Sequence, residues 1–316
     1  MAQRKGIVIA LGGNAISKPG MRGTIQEQFY ATHESMEHVA ELVTAGHERV
    51  LITHGNGPQV GAAILRAEIA SKAVYPLPLD ICVADTQGGI GYMIQQVLTN
   101  SLRKRGIRTP VVTMVTQVQI DVHDPAFDHP TKPIGLFYSE QEAKELMAGK
   151  GWAMVEDAGR GWRRVVPSPK PQRILEVEAV TQLFRKGMIV IAGGGGGVPV
   201  GLNRHNNFYG IEAVIDKDAT TARLATEIGA ETLMIMTGVE YAYLDYHGPH
   251  ETPLKNVTIQ ELEKHLAAKE FPDGSMKPKI EACIQFIRDG GKEAIITSIP
   301  NALMALQGKT GTRIRR

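Results

Sequence analysis

IVIALGGN, residues 7–14, opens with five consecutive apolar residues and ends in a glycine turn. A β-branched run without polar interruption reads as a strand covered on both faces, because a strand with one wet face alternates polar and apolar residues. The same pattern recurs at 50–53 (VLIT) before His54-Gly55-Asn56-Gly57, and at 188–192 (MIVIA) before five glycines, 193–197. Further runs of this kind lie at 111–115, 233–236 and 294–297. Between them stand amphipathic stretches of helical length at 26–45, 83–105, 176–186, 218–228, 258–269 and 277–289. Strand and helix therefore alternate, which predicts an α/β fold with a doubly wound, mainly parallel sheet and helices on both faces.

The three glycine turns follow their strands directly, so in a parallel sheet they share the carboxyl edge, where open α/β folds bind ligands. Turns that bare backbone N–H groups, with helices starting behind them, make a crevice suited to anions such as phosphate. Two familiar phosphate motifs fail on spacing. Gly308-Lys309-Thr310 would need a glycine at 303, which is Leu303. The 193–197 run is followed by Val198, Pro199 and Val200, so it does not supply GxGxxG.

Charge and composition narrow the partners. The chain has 316 residues, with 35 Lys plus Arg against 33 Asp plus Glu, and this near-balance implies no attraction to nucleic acid or to a membrane surface. No apolar run is long enough to span a bilayer, and 7–11 is too short for the core of a signal peptide. Cys82 and Cys283 stand alone and far apart, which excludes a disulfide scaffold and a thiolate metal site and predicts a reducing, cytoplasmic compartment. The α/β pattern breaks over 123–171, a proline-rich stretch with one short helical candidate at 139–147, which reads as a small subdomain inserted into a single domain of residues 1–316. Arg313, Arg315 and Arg316 read as a solvated basic tail.

Phosphoryl chemistry between anions needs positive charge, because two like charges 4 Å apart oppose each other by about 4 kcal/mol at an effective dielectric of 20. Three lysines are placed to supply it. Lys217 lies between Asp216 and Asp218 at a helix start, where a carboxylate can hold the ammonium. Lys279 opens a helix behind Gly274-Ser275, and Ser275 is an N-cap candidate. Lys132 sits between Thr131 and Pro133 in the insertion. HExxH, GxSxG, CxxC and clustered histidines are all missing, so metal-assisted hydrolysis and Ser or Cys nucleophiles lack their parts. His54 beside Gly55 is a candidate general base, but a packed histidine at a strand end is the better reading. Transfer to an acceptor that is already ionised needs no base, only positioning and charge stabilisation.

ALGGNAI (10–16), HGNGPQVG (54–61), DPAF (124–127), HPTKPIG (129–135) and FYSEQEAKEL (137–146) occur in this order. EDAGRGWRRVVPSPKP (156–171), GGGGGVPV (193–200), EAVIDKDATTARLA (212–225), GSMKPKIEA (274–282) and AIITS (294–298) follow them. Together these stretches resemble the carbamate kinases of the amino acid kinase superfamily. The resemblance implies a homodimer that moves a phosphoryl group reversibly between ATP and carbamate, giving ADP and carbamoyl phosphate, with Mg²⁺ and often toward ATP. It implies that Gly12, Gly13, Asn14, Gly55, Asn56 and Gly57 hold carbamate and the transferring group while Lys132 reaches in from the insertion. It further implies that Lys217 and Lys279 stabilise the phosphates, with Asp218 organising both. Gly194, Gly195, Gly196, Thr237, Gly238 and Met276 would border the nucleotide, and no side chain is expected to bind metal. Gly238 stands where many superfamily members carry Asp, and Lys277 adds a charge. A kinase of another small carboxylate and a non-catalytic nucleotide or carbamoyl-phosphate sensor remain alternatives.

Overall fold

All six apolar runs become strands of one eight-stranded sheet in the computed structural model, which describes residues 6–18, 20–47, 49–156 and 161–316. Residues 157–160 of the EDAGRGW stretch lie outside the described residues. β1 (Gly6–Leu11), β2 (Arg49–His54) and β3 (Val111–Thr113) are the first strands. Across the sheet the order is Asn256–Thr258, Thr312–Arg315, Glu293–Ser298, Thr232–Thr237, β1, β2, Ile189–Ile191, β3. From Glu293–Ser298 to β3 every neighbouring pair is parallel. The helices are α1 (Ile25–Thr44), α2 (Gly57–Ala70), α3 (Leu79–Lys104), α4 (Glu140–Lys150), α5 (Val177–Arg185), α6 (Lys217–Glu227), α7 (Ile259–Ala267), α8 (Met276–Arg288) and α9 (Ala302–Leu306).

Side chains of a strand point alternately to its two faces, and β1 shows why both faces had to be apolar. Ile7, Ile9 and Leu11 pack with Met36 and Val39 of α1 and Ile94 and Leu98 of α3. Val8 and Ala10 pack on the opposite side with Leu224 of α6 and Ile284 and Phe286 of α8. Each fully buried aliphatic side chain here contributes about 1.5–3 kcal/mol. The result is three layers with the sheet in the middle.

Several elements differ from the sequence reading. β3 stops at Thr113 instead of Val115, because the chain crosses to a second sheet at Gln117–Gln119. Helix α2 was not among the expected helices. Gly57 and Pro58 read as turn residues, yet they form its first turn, where proline costs no hydrogen bond. The basic tail is a strand whose Arg313 is covered while Arg315 and Arg316 stay exposed: Thr312–Arg315 lies antiparallel to Glu293–Ser298, and both Arg313 and Arg315 pair with Glu293. Its inward residues, Thr312 and Ile314, are fully buried.

Within 123–171, the strands Lys132–Tyr138, Trp162–Val166 and Ala153–Glu156 form a three-stranded antiparallel sheet carrying α4. The chain enters and leaves this unit beside itself, because Gln117–Gln119 pairs antiparallel with Arg173–Ile174. Helix α2 seats the unit on the main body. A Cβ on Gly61 would lie 2.8 Å from the Gly135 Cα, so only glycine at 61 lets helix and strand approach this closely. Lys150–Glu68 at 3.3 Å and Arg164–Glu212 at 3.4 Å tie the two parts elsewhere. This seating fixes where the first residue of the strand, Lys132, can reach.

A candidate active site at the carboxyl edge of the sheet

The parallel register brings the ends of β1, β2 and Thr232–Thr237 side by side, and the turns that follow them meet. Gly12 donates its N–H to the Met236 carbonyl at 3.1 Å, and a Cβ there would stand 2.9 Å from that oxygen. A Cβ on Gly55 would lie 4.0 Å from the Gly13 nitrogen and 3.8 Å from the Lys217 side chain, and one on Gly238 would lie 2.8 Å from the Asn14 amide. Gly12, Gly13, Asn14, Gly55, Lys217 and Gly238 thus share one crevice. Gly13, Asn14 and Gly57 are exposed in it, while Asn56 is buried and donates to the Thr86 hydroxyl at 2.9 Å.

The third glycine turn is more enclosed than the other two, and three of its five amides are engaged within the fold. Residues 193–197 are buried, with Gly193, Gly195, Gly196 and Gly197 at positive φ. The amides of Gly193, Gly196 and Gly197 bond to Thr116, Gly193 and Gly194. Cβ atoms would strike His54 at Gly194, Asn56 at Gly195 and the Ile215 carbonyl at Gly196. The run is compact so that α6 can close against the end of β2. Thr220 donates to the Gly196 carbonyl at 2.8 Å, and Thr53 and Thr221 share a hydroxyl bond at 2.7 Å.

This clamp fixes the start of α6, which gathers the three lysines. Asp218, 4 % exposed, accepts from Lys217 through Oδ1 and from Lys279 through Oδ2 at 3.4 Å. The Lys217 and Lys279 side chains are themselves only 14 % and 16 % exposed. Burial alone would push the Asp218 carboxyl up, but the Lys217 and Lys279 charges outweigh it and hold the group below the usual carboxylate range. Ser275 makes no side-chain cap for α8; its carbonyl accepts from Lys279 at 2.9 Å instead. Lys132 arrives from the three-stranded unit and bonds to Asp216, not to Asp218, at 2.8 Å. Three ammonium groups therefore face two carboxylates, leaving the cluster one positive charge for an incoming phosphate. Lys277 lies apart from it, in an exposed pair with Asp273 at 2.7 Å. Met276 is half-buried against the core at the start of α8.

Residues 5–298 match the model of the amino acid kinase family. The chain belongs to that amino acid kinase family. It is 50 % identical over 311 residues to a carbamate kinase of Pyrococcus horikoshii, covering 98 % of each chain. A carbamate kinase of Thermococcus kodakarensis is 49 % identical over 315 residues, covering 99 % of each. Among solved structures, the carbamate kinase of Giardia lamblia bound to AMP-PNP superposes with a TM-score of 0.93 at 41 % identity, covering 100 % of this chain and 99 % of that one. The amino acid kinase fold thus accounts for the mainly parallel sheet with helices on both faces.

In this amino acid kinase, His54 is scaffold. It is 1 % exposed and bonds the Gly55 carbonyl through Nδ1 at 3.0 Å. Burial lowers its pKa to about 4; the Gly55 bond opposes this and the Lys217 charge adds to it. Below its ordinary value of 6.5 the unfolded chain takes up a proton that the folded one refuses, so folding stability falls as pH drops from 6.5 toward about 4. Urea midpoints measured at pH 7, 6 and 5 should show this slope, at most about 1.4 kcal/mol per pH unit for one proton. His54→Gln should flatten it, and an equal slope in the variant would show that other groups carry the dependence.

A cavity of about 1300 Å³ adjoins the crevice at Gly57 and Pro58, between α1, α2, α3 and the strands at Pro133, Phe137 and Arg163. Among the described residues no three His, Cys, Asp or Glu side chains cluster as a metal cage, and no helix is long and apolar enough to cross a membrane. Thr53, Thr220 and Thr221 are the site residues that sequence reasoning missed, and Asp216, expected beside Lys217, holds Lys132 instead. Paired threonines at the start of α6 were the available signal.

Proposed function

We propose that this chain is a carbamate kinase, transferring a phosphoryl group reversibly between ATP and carbamate to give ADP and carbamoyl phosphate, and working chiefly toward ATP. The observation that carries this reading is the cluster of Lys132, Lys217 and Lys279, drawn from three distant segments onto one helix start beside two glycine turns. Exposed Gly13, Asn14 and Gly57, with Gly12, Gly55 and Asn56 shaping the turns, hold carbamate and the transferring group. Lys217 and Lys279, fixed by Asp218, neutralise charge on the phosphoryl oxygens, and Lys132 closes over them from the 123–171 subdomain. Thr237, Gly238 and Met276 border the nucleotide, over the support that Gly194, Gly195 and Gly196 provide. Carbamate is already an anion, so the step needs alignment and charge but no base.

Both carboxylates at the cluster are committed to lysines, so Mg²⁺ suits this site as the companion of the nucleotide phosphates, where it needs few protein ligands. When bound it supplies further shielding of phosphate charge. A homodimer in the cytoplasm completes the reading; the two buried, unpaired cysteines agree with a reducing compartment, and sedimentation reads the mass. Purified protein should form ATP from ADP and carbamoyl phosphate in the presence of Mg²⁺. No ATP, with phosphorylation of a different small carboxylate, would overturn the assignment. Ligand-induced stabilisation without any turnover would mark a sensor instead.

A further inference from the structure

We propose that Asp216 is a positioning residue for phosphoryl transfer: it docks Lys132 at the start of α6 and releases it to the phosphoryl group. This rests on the kinase reading above. The two oxygens of Asp216 divide the work. Oδ1 accepts from the backbone N–H of Asp218 at 2.9 Å and of Ala219 at 3.2 Å, capping α6. Oδ2 accepts from Lys132 Nζ at 2.8 Å, across 84 residues of sequence. One carboxylate therefore ties the subdomain's lysine to the same helix turn that presents Lys217 and Asp218.

The pair is made to exchange. Lys132 and Asp216 are 34 % and 27 % exposed, whereas Asp218 and its two lysines are shielded, so the Lys132 bond is the one that water and a ligand can reach. A phosphoryl group arriving over Gly13 and Gly55 carries more negative charge than a carboxylate, and draws the ammonium a short way from Oδ2 while Oδ1 stays on the helix. Without the dock, the lysine side chain ranges freely over the cleft, and ordering it anew for each turnover costs about tenfold in rate. The subdomain itself stays seated, because Lys150–Glu68 and Arg164–Glu212 do not involve Asp216.

Asp216→Asn separates the two roles, since asparagine caps a helix about as well as aspartate but offers Lys132 an amide in place of a charge. The expected result is a kcat lower by about tenfold with KM for ADP within about twofold and an unchanged melting temperature. In a Lys132→Ala background the same substitution should cost nothing further. A kcat within twofold of the parent, or an equal loss with and without Lys132, would show that Asp216 is only a cap. A second measurement does not depend on turnover. Brief acetylation read by mass spectrometry should label Lys132 at least about threefold faster in Asp216→Asn than in the parent chain, with exposed Lys144 as the internal control, because acetylation needs the free amine's lone pair, which a nitrogen docked on a carboxylate does not present to the reagent. Equal labelling of Lys132 overturns the dock whatever the activity. A parent chain that makes no ATP yet shows the labelling difference would refute the kinase reading and leave the Lys132–Asp216 dock standing.

Discussion

Asp218→Asn is expected to lower kcat for ATP formation by about 10³ and to lower unfolding free energy by about 3–5 kcal/mol. The two effects share a cause. Lys217 and Lys279 are shielded from water and converge on one carboxylate, so asparagine leaves two ammonium groups facing each other with no counter-charge. Removing one partner of a buried ion cluster is costly because the remaining charge stays buried, and here two remain. Catalysis suffers beyond stability, since both donors lose the anchor that aims them at the phosphoryl oxygens. The carboxyl of Asp218 sits below its ordinary value of 3.8, because the lysine charges overcome the opposing effect of burial. Its contribution to stability is thus complete above that pH and is lost only as pH falls through the still lower folded value. The stability gap between the parent and the variant should therefore hold constant from pH 5 to 8. A variant with kcat within tenfold of the parent would remove Asp218 from the organising role.

What could be read from residue order was what short-range pattern encodes. Apolar runs at 7–11 and 188–192 announced buried strands because both faces of the sheet are covered, and Gly12 and Gly55 marked the strand ends where backbones crowd. Lys217 and Asp218 are neighbours, so their pairing was also within reach. Contacts that depend on topology were not. Thr53 meets Thr221 across 168 residues, and Lys132 meets Asp216 across 84, through a subdomain whose seating on α2 no local signal reports. The 193–197 run shows that glycine permits a bared amide and close packing equally: three of its amides bond within the fold, and His54, Asn56 and Ile215 press against it. Helix α2 escaped notice because Gly57 and Pro58, residues typical of a turn, are equally at home in a helix's first turn.

Lys132→Ala separates chemistry from folding more cleanly than any change at Asp218. Its side chain is one-third exposed and its partner Asp216 keeps both helix-capping bonds, so the stability change should stay under about 1 kcal/mol, as for other solvent-facing pairs. The rate should not be spared. Loss of one preorganised donor that meets the transferring group lowers kcat by about 10², while KM for ADP moves little, because the lysine comes from the subdomain and not from the nucleotide side. Lys132→Arg should recover only part of the loss: the planar guanidinium keeps the charge but places its donors differently from a compact ammonium on the same strand. Stopped-flow or coupled ATP assays on the folded variants read these differences directly. A Lys132→Ala protein with the parent's kcat would mean that the charge crossing from the subdomain is dispensable, and that Lys217 and Lys279 alone neutralise the phosphoryl group as it passes between ADP and carbamate.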